Sequence, residues 1–403
     1  MERQKVVIVG GGAAGFFCAA NLDQEKYQVT ILEQNSDVLQ KVKISGGGRC
    51  NVTHACFDPS ELIQFYPRGN KELRSVFHKF QPGDTMDWFE TRGVPLKVEG
   101  DNRIFPESNS SQSIIDALVK EVEEKRFSVH TQSVVLEIEH ADSGYHMKTN
   151  ASIYEAEIVV FCTGSSPKSL RMLKNLGHQL VEAVPSLFTF NIKNDTLKDL
   201  MGTSFPAAEV YIPELKTEES GPLLITHWGL SGPAILKISA WKARELAQMK
   251  YKFTIAVNFL GINIDDAEHM FKESRSRNPK KTIGASKIFD ITNRFWHRIL
   301  WISKINLEKN ISEITSKELA EILKNLCYNE MGVIGKSTYK DEFVTAGGVE
   351  LKEINFKNMS SKLLPNFYIC GEVLNIDAVT GGFNFQACWS EGWLISQDLN
   401  AKS

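Results

Sequence analysis

The feature that most constrains this chain is its beginning. Lys5-Val-Val-Ile-Val runs straight into Gly10-Gly-Gly-Ala-Ala-Gly15, and Gln28-Val-Thr-Ile-Leu-Glu33 follows after a helix-length gap. A β-branched run that stops at a glycine reads as a buried parallel strand. Gly10, Gly12 and Gly15 satisfy G-x-G-x-x-G, and the residues from Ala13 to Leu22 suit a helix. Each glycine has its own task. Gly10 permits the tight turn, Gly12 lets the backbone approach a pyrophosphate, and Gly15 lets helix and strand pack closely. The helix N-terminus attracts phosphates, and an acid about twenty residues on can accept from ribose hydroxyls. The pattern predicts an adenine dinucleotide site contacted by Gly12, Ala13, Ala14, Gly15, Glu33 and Gln34. The acid favours FAD or NAD over NADP.

A second glycine loop comes next, in Lys41-Val-Lys-Ile-Ser-Gly46-Gly-Gly-Arg-Cys50-Asn-Val-Thr-His. Successive glycines free backbone N–H groups to face an anion, while Arg and Lys add charge. Lys41, Gly48, Arg49, Cys50, Asn51 and Thr53 are therefore candidates for a second wall of the site. Cys50 either touches the cofactor or packs, and its sequence neighbours do not mark it as a nucleophile. Further on, Glu157-Ile-Val-Val-Phe-Cys-Thr163-Gly164 is a buried strand ending in Thr-Gly, which adds both residues as candidates. Near the C-terminus Asn366-Phe-Tyr-Ile-Cys-Gly371-Glu372 is another strand, and Gly381-Gly382-Phe383-Asn384 opens a final helix. Gly371, at the end of that strand, joins the set, and so do Gly382 and Phe383, because a glycine-led helix start repeats the first fingerprint.

Between these ends the character changes. Asn70 to Gly93 reads as two helices split at Pro82-Gly83, and Ser110 to Glu124 as a third. Phe188-Thr-Phe-Asn-Ile, Glu209-Val-Tyr-Ile and Gly221-Pro-Leu-Leu-Ile-Thr are β-rich, and residues 265 to about 335 are polar and helix-like. Phe343-Val-Thr-Ala-Gly-Gly-Val then restores sheet character. Glycine loops at both ends of the chain around one ligand imply that the middle is an insertion. The expected domains are residues 1–190 with 341–403, a β-rich insert at 191–264 and a helical insert at 265–340.

With a net charge of −3, the chain carries no general signal for nucleic acid or anionic membranes. Residues 191–340 hold 22 Lys and Arg against 17 Asp and Glu. The run Arg275-Ser-Arg-Asn-Pro-Lys-Lys281 reads as a solvated face without interleaved aromatics. Nucleic acid is thus an unlikely partner on this count, and no metal spacing is visible among the nine histidines. The seven cysteines are odd in number and scattered without C-x-x-C, which suits free thiols in a reducing, cytoplasmic setting. No apolar run reaches the ~18 residues of a spanning helix, and no signal peptide is recognisable.

Six segments resemble one family in family order: Gly10 to Gly15, Gly46-Gly-Gly-Arg-Cys-Asn51, Arg103-Ile-Phe-Pro106, Thr226-His-Trp-Gly-Leu-Ser-Gly-Pro233, Gly371-Glu-Val-Leu374 and Thr380-Gly-Gly-Phe-Asn384. The chain resembles the bacterial NAD(P)/FAD-dependent oxidoreductases, also called aminoacetone-oxidase-family FAD-binding enzymes, one branch of which reduces dehydro-bile acids. The second and fourth segments are specific to that family. The resemblance implies an α/β fold: a glutathione-reductase-like, Rossmann-type FAD-binding domain interrupted by a β-barrel-like and a helical insertion. It further implies that Ala14, Glu33, Arg49, Asn51, Val135, Gly164, Glu372 and Asn384 line the FAD, with Val134 competing with Val135. This chain carries Asn375 where the family often has Asp, which removes a charge from that loop.

The expected activity is FAD-dependent oxidation and reduction, with the cofactor supplying hydride chemistry. The expectation is NAD(P)H-linked transfer to a small organic substrate in the cleft of the FAD domain and insert. No second G-x-G-x-x-G exists, so a pyridine nucleotide would act as a transient reductant. The rivals are an O2-dependent amine oxidase, a flavin-bearing protein that binds or modifies RNA, and a redox-sensing module. No catalytic residue is assigned. His227 is a candidate for proton delivery, against the simpler reading that it packs its turn beside Trp228.

Overall fold

The structure is a computed structural model that describes residues 3–337 and 344–402. The chain divides into two compact units, residues 1–184 with 340–403, and residues 185–339. The expected boundary at 340/341 and Phe343 lie outside the described residues.

The first unit is built on a seven-stranded sheet. Its order is Ile354–Asn355, Ser360–Ser361, Phe367–Ile369, Ile158–Phe161, Gln4–Val9, Tyr27–Leu32 and Ser128–His130. The last five are parallel, with Ile8 opposite both Val160 and Ile31. Val6 and Ile8 have no exposed surface, as a strand covered on both faces requires. The chain leaves Gln4–Val9 to one side for Tyr27–Leu32 and later returns on its other side with Ile158–Phe161. That reversal opens a crevice at the carboxyl edge, where open α/β sheets take their ligands. Gly10, Glu33, Thr163 and Gly371 follow the strands that end on this edge.

Two helices of this unit pack on each other. Ala13–Asn21 is buried from Ala14 through Ala20, so packing rather than an amphipathic stripe sets its place. It lies against the C-terminal helix Phe383–Ala401, and Gly392 brings the two close: a methyl there would stand 2.7 Å from Ala14 O. Among the described residues no helix is long and apolar enough to cross a membrane, and no group of three or more His, Cys, Asp or Glu could hold a metal ion.

The second unit is a closed six-stranded barrel in the order Thr189–Ile192, Gly229–Ser231, Thr217–Ile225, Ser204–Ile212, Phe253–Asn258 and Asn329–Ser337. The segment 329–337 is a strand, although it was expected to belong to the helical insert. Asn329, Met331 and Val333 alternate inward with exposed neighbours, a period of two that only a strand can bury. Helices Ile264–Arg277, Asn293–Ile302 and Ser316–Cys327 lie in sequence between the last two barrel strands and share their core. Phe205 of the barrel meets Phe259 at 4.8 Å and Phe295 at 4.7 Å between ring centroids. The β-rich and helical stretches therefore form one unit.

Candidate cofactor site

The first glycine loop is crowded on one side and open on the other. A methyl on Gly15 would stand 2.3 Å from Gly10 O, and one on Gly10 would stand 2.5 Å from Cys162 O. A methyl on Gly12 would meet nothing within 4 Å. Phe16 N–H is the first to bond back along the helix, to Gly12 O at 3.0 Å. The N–H groups of Ala13, Ala14 and Gly15 thus head the helix without an intrahelical acceptor. Bare donors and an open backbone at a helix N-terminus suit a pyrophosphate.

Glu33 is buried beside this loop. Its Oε2 accepts from Gly11 N–H at 2.9 Å, and its Oε1 accepts from Asn35 N–H at 2.8 Å and Asn35 Nδ2 at 2.7 Å. A carboxylate offers about four acceptor positions, so Oε2 keeps one for a ribose hydroxyl. Gly11 serves that bond: a methyl on it would press on Glu33 Oε2 at 3.1 Å. Gln34 follows on the surface. Ser133 N–H donates to Glu33 O at 2.8 Å, which sets the lead-in to strand Val135–Ala141 beside the acid. Val135 is buried, and Val134 N–H is taken by Asn150 Oδ1 at 2.9 Å.

The second glycine loop is a helical turn that breaks. Gln40–Gly48 loses helical backbone at Ser45, Gly46 and Gly47. Arg49 then lays its guanidinium over Phe105 at 3.9 Å and pairs with Glu99 at 2.6 Å. Cys50 is buried, and burial pushes its thiol up to about 12. It packs in the protein as a neutral group. The Asn51 amide, oriented by its partners, donates to Thr53 O at 3.0 Å and accepts from Gly382 N–H at 2.9 Å. Thr53 Oγ1 donates to Gln386 Oε1 at 2.5 Å, and Trp389 Nε1 donates to Val52 O at 2.9 Å. This loop is therefore buttoned to the start of the C-terminal helix.

Lys41, Gly164 and Glu372 come together at the sheet edge. Lys41 Nζ pairs with Glu372 Oε2, and a methyl on Gly164 would lie 4.0 Å from that oxygen. The other oxygen of Glu372 accepts from Thr345 N–H at 3.0 Å and Ser165 Oγ at 3.3 Å. Thr163 precedes this cluster, its hydroxyl donating to Gly164 O at 3.2 Å. Gly371 approaches the first helix, 3.4 Å from Ala14 Cβ for an added methyl, and its N–H donates to Glu391 Oε2 at 2.6 Å. Asn384 turns inward, its amide bonded to Ala378 N–H at 3.0 Å and Ala378 O at 3.2 Å. Phe383 stacks on Phe65 at 4.3 Å.

Sequence reading missed several of these groups. Thr345, Ser165, Gln386 and Glu391 act through partners far along the chain. Asp377 was also missed: buried, it holds Arg68 through both carboxylate oxygens two residues after Asn375. The signal that was available lay in the last helix, where Gln386, Ser390 and Glu391 interrupt an otherwise apolar face. His227 lies in the second unit, exposed, with its ring edge-on to Trp228 at 4.9 Å.

The donors at Ala13 to Gly15, the open face of Gly12 and the buried acid of Glu33 fit an adenine dinucleotide. The chain belongs to the HI0933-like family: the model described as "HI0933-like protein Rossmann domain" matches residues 4–398. It is similar to the ribosomal RNA dihydrouridine synthase of Escherichia coli (strain K12), 28% identical over 100% of this chain and 99% of that one. It is also similar to the 3-dehydro-bile acid delta(4,6)-reductase of Clostridium scindens, 25% identical over 98% of each. Its fold is like that of a flavocytochrome c3 fumarate reductase in its open conformation, with a TM-score of 0.52 at 15% identity over 99% of this chain and 78% of that one. The chain is an FAD-dependent oxidoreductase of Rossmann type with FAD as its cofactor.

Proposed function

We propose that this oxidoreductase saturates a carbon–carbon double bond conjugated to a carbonyl, with NAD(P)H as a transient reductant. When bound, FAD supplies the hydride chemistry. The residues of the chain bind and orient it. Ala13, Ala14 and Gly15 offer N–H groups to the pyrophosphate, Glu33 takes the ribose, and Lys41 and Glu372 form an ion pair at the same sheet edge. The single observation that carries the cofactor part is the open face at Gly12 beside a buried acid with a spare acceptor.

The bond type is supported by the relatives' names. One makes dihydrouridine in ribosomal RNA, the other is a delta(4,6)-reductase of a 3-dehydro-bile acid. A uracil ring and an unsaturated 3-oxo steroid share a double bond polarised by a carbonyl. Substrate choice is proposed to rest in the inserted unit, residues 185–339. A small organic molecule remains one substrate class, and a pyrimidine within RNA is the second, favoured by the synthase relative.

The test is anaerobic mixing of the yellow protein with NADH and with NADPH while following flavin absorbance. Reduction by either is expected. A ribosomal RNA fragment and a conjugated ketosteroid are then offered to the reduced protein, and reoxidation by one of them is expected. Bleaching by amines but not by NAD(P)H would instead mark an amine oxidase and overturn the proposal.

A further inference from the structure

The second unit has a hollow of its own, with a volume of about 830 Å3. It lies among the loop 193–201, the hairpin tip at 226–229 and the first turn of helix Asn293–Ile302. Lys193, Lys198 and Arg294 line it. Arg298 braces its wall, donating to Asp195 O at 2.7 Å. The acids there are Asp195 and Asp199, and Asp199 stands 3.9 Å from Arg298. Among the described residues neither Lys193 nor Lys198 takes part in an ion pair. Three cations against two acids leave the lining with one net positive charge.

Large apolar side chains stand beside that charge. Met201 lines the hollow at 63% exposure, and Trp228, next to the lining residue His227, is 55% exposed. Trp301 is 61% exposed and lies 5.3 Å from the Arg298 guanidinium. Trp228 adjoins the hollow through its ring contact with His227 at 4.9 Å, and Met201 and this indole give the charged lining an exposed apolar rim. The occupant must offer anions to the cations and flat rings to the tryptophans. Single-stranded RNA does both, because its phosphates track basic grooves and its bases stack on aromatic faces.

A dinucleotide carries phosphates and rings too, but the hollow lacks what the first unit uses for one. Gly229, which lines it, is sealed by protein, a methyl there standing 2.2 Å from Phe190 O, and the nearby helix start is already capped, Phe295 N–H donating to Thr292 Oγ1 at 3.3 Å. We infer that this hollow is a docking site for single-stranded RNA. The inference rests on the reductase reading only for what the bound RNA is for.

The experiment uses the full-length, FAD-loaded protein and a fluorescein-labelled, uridine-rich RNA 12-mer, followed by anisotropy from low to moderate KCl. Binding is expected, with log K falling linearly against log salt by about 0.7 per phosphate neutralised. Lys193→Glu with Lys198→Glu should weaken it at least about tenfold and flatten that slope. Trp228→Ala should weaken it about five- to hundredfold at an unchanged slope. Lys280→Glu with Lys281→Glu, outside the hollow, should change it by less than about twofold. FAD content and Tm report whether each variant is folded. No binding at low salt, wild-type binding by folded hollow variants, or loss of NADPH affinity instead of RNA affinity would each overturn the inference. RNA held through the hollow that never reoxidises the flavin keeps the docking site and removes RNA as substrate. RNA that reoxidises wild type and hollow variants equally well keeps the substrate and removes the docking site.

Discussion

Two helices of the cofactor unit start behind glycines, Ala13–Asn21 behind Gly12 and Phe383–Ala401 behind Gly382, and they use them differently. Gly12 has extended backbone, at φ −92° and ψ −169°, and open space where a side chain would be. Gly382 has φ +92°, and a methyl on it would stand 2.6 Å from Thr53 O. Its N–H is already given to Asn51. One glycine leaves room for a ligand, and the other leaves room for the protein itself. The two sequences look alike because both needs are met by the same residue.

The sharpest way to break this comparison is to put a methyl at each position. Gly382→Ala combines a left-handed backbone with a collision against a fixed carbonyl. It should cost about 2–4 kcal/mol of stability, seen as a large fall in Tm even with excess FAD. Gly12→Ala should leave the apoprotein within about 0.5 kcal/mol of wild type but weaken FAD roughly tenfold or more. Calorimetry of both apoproteins with FAD titration checks the pair. Equal loss of stability in both would mean that the first loop, too, is sealed by protein.

Glu33→Ala sharpens the ligand side of the contrast. The carboxylate holds Gly11 N–H and Asn35 as well as a spare acceptor, so its loss orphans donors and removes the acceptor proposed for the ribose. FAD affinity should fall by about ten- to hundredfold, with turnover of the loaded fraction little changed. Acid release should return FAD, not FMN, from wild type. Equal affinity in the two proteins would place the ribose elsewhere.

What was legible in the sequence follows the same division. Gly10, Gly12, Gly15 and Glu33 could be read because backbone geometry demands glycine and a fixed spacing brings the acid back. The Thr53–Gln386 bond joins residues 333 apart, and Thr85 joins the same amide from 301 away. No local pattern encodes such a meeting. Asn384 was read as a ligand contact through the family resemblance, and its amide also ties back to both polar groups of Ala378, a link that no local pattern encodes. The closing barrel strand Asn329–Ser337 was hidden because polar helices precede it, and its alternation is short. Both units were visible as a change of character, while the sharing of one core by strands and helices was not.

Glu391 tests the sealed side by pH. It is fully buried on the C-terminal helix, its Oε1 has no partner, and burial pushes its carboxyl up to about 8 against the opposing Gly371 N–H. Tyr66, Cys370 and Cys388 face it, and all are neutral in this range. A folded pKa above the unfolded one means that the native state binds the extra proton. Its contribution is complete below the unfolded carboxylate range and is lost as pH rises toward about 8. Glu391→Gln keeps the shape without the proton, so it should lose up to about 1 kcal/mol per pH unit of slope. Denaturation of both proteins at several pH values up to 9 checks this, and parallel slopes would show that Glu391 is ionised in the fold.

The smallest effect is expected at His227, which carries the comparison into the second unit. Its ring is exposed, and among the described residues it makes no hydrogen bond, only the edge contact with Trp228. A general acid is held by a partner that fixes its ring and tautomer. Nothing comparable orients His227, in contrast to His178, whose Nδ1 meets Glu353 at 2.9 Å in the first unit. His227→Gln should therefore shift stability by less than about 0.5 kcal/mol and leave FAD content and NAD(P)H-driven bleaching unchanged. Reoxidation of the flavin by the organic substrate should stay within about twofold, because the ring only walls the hollow. Stopped-flow traces of the two half-reactions separate the alternatives. Slowing of reoxidation alone by about 10²–10⁴ would assign His227 the proton and reverse this reading.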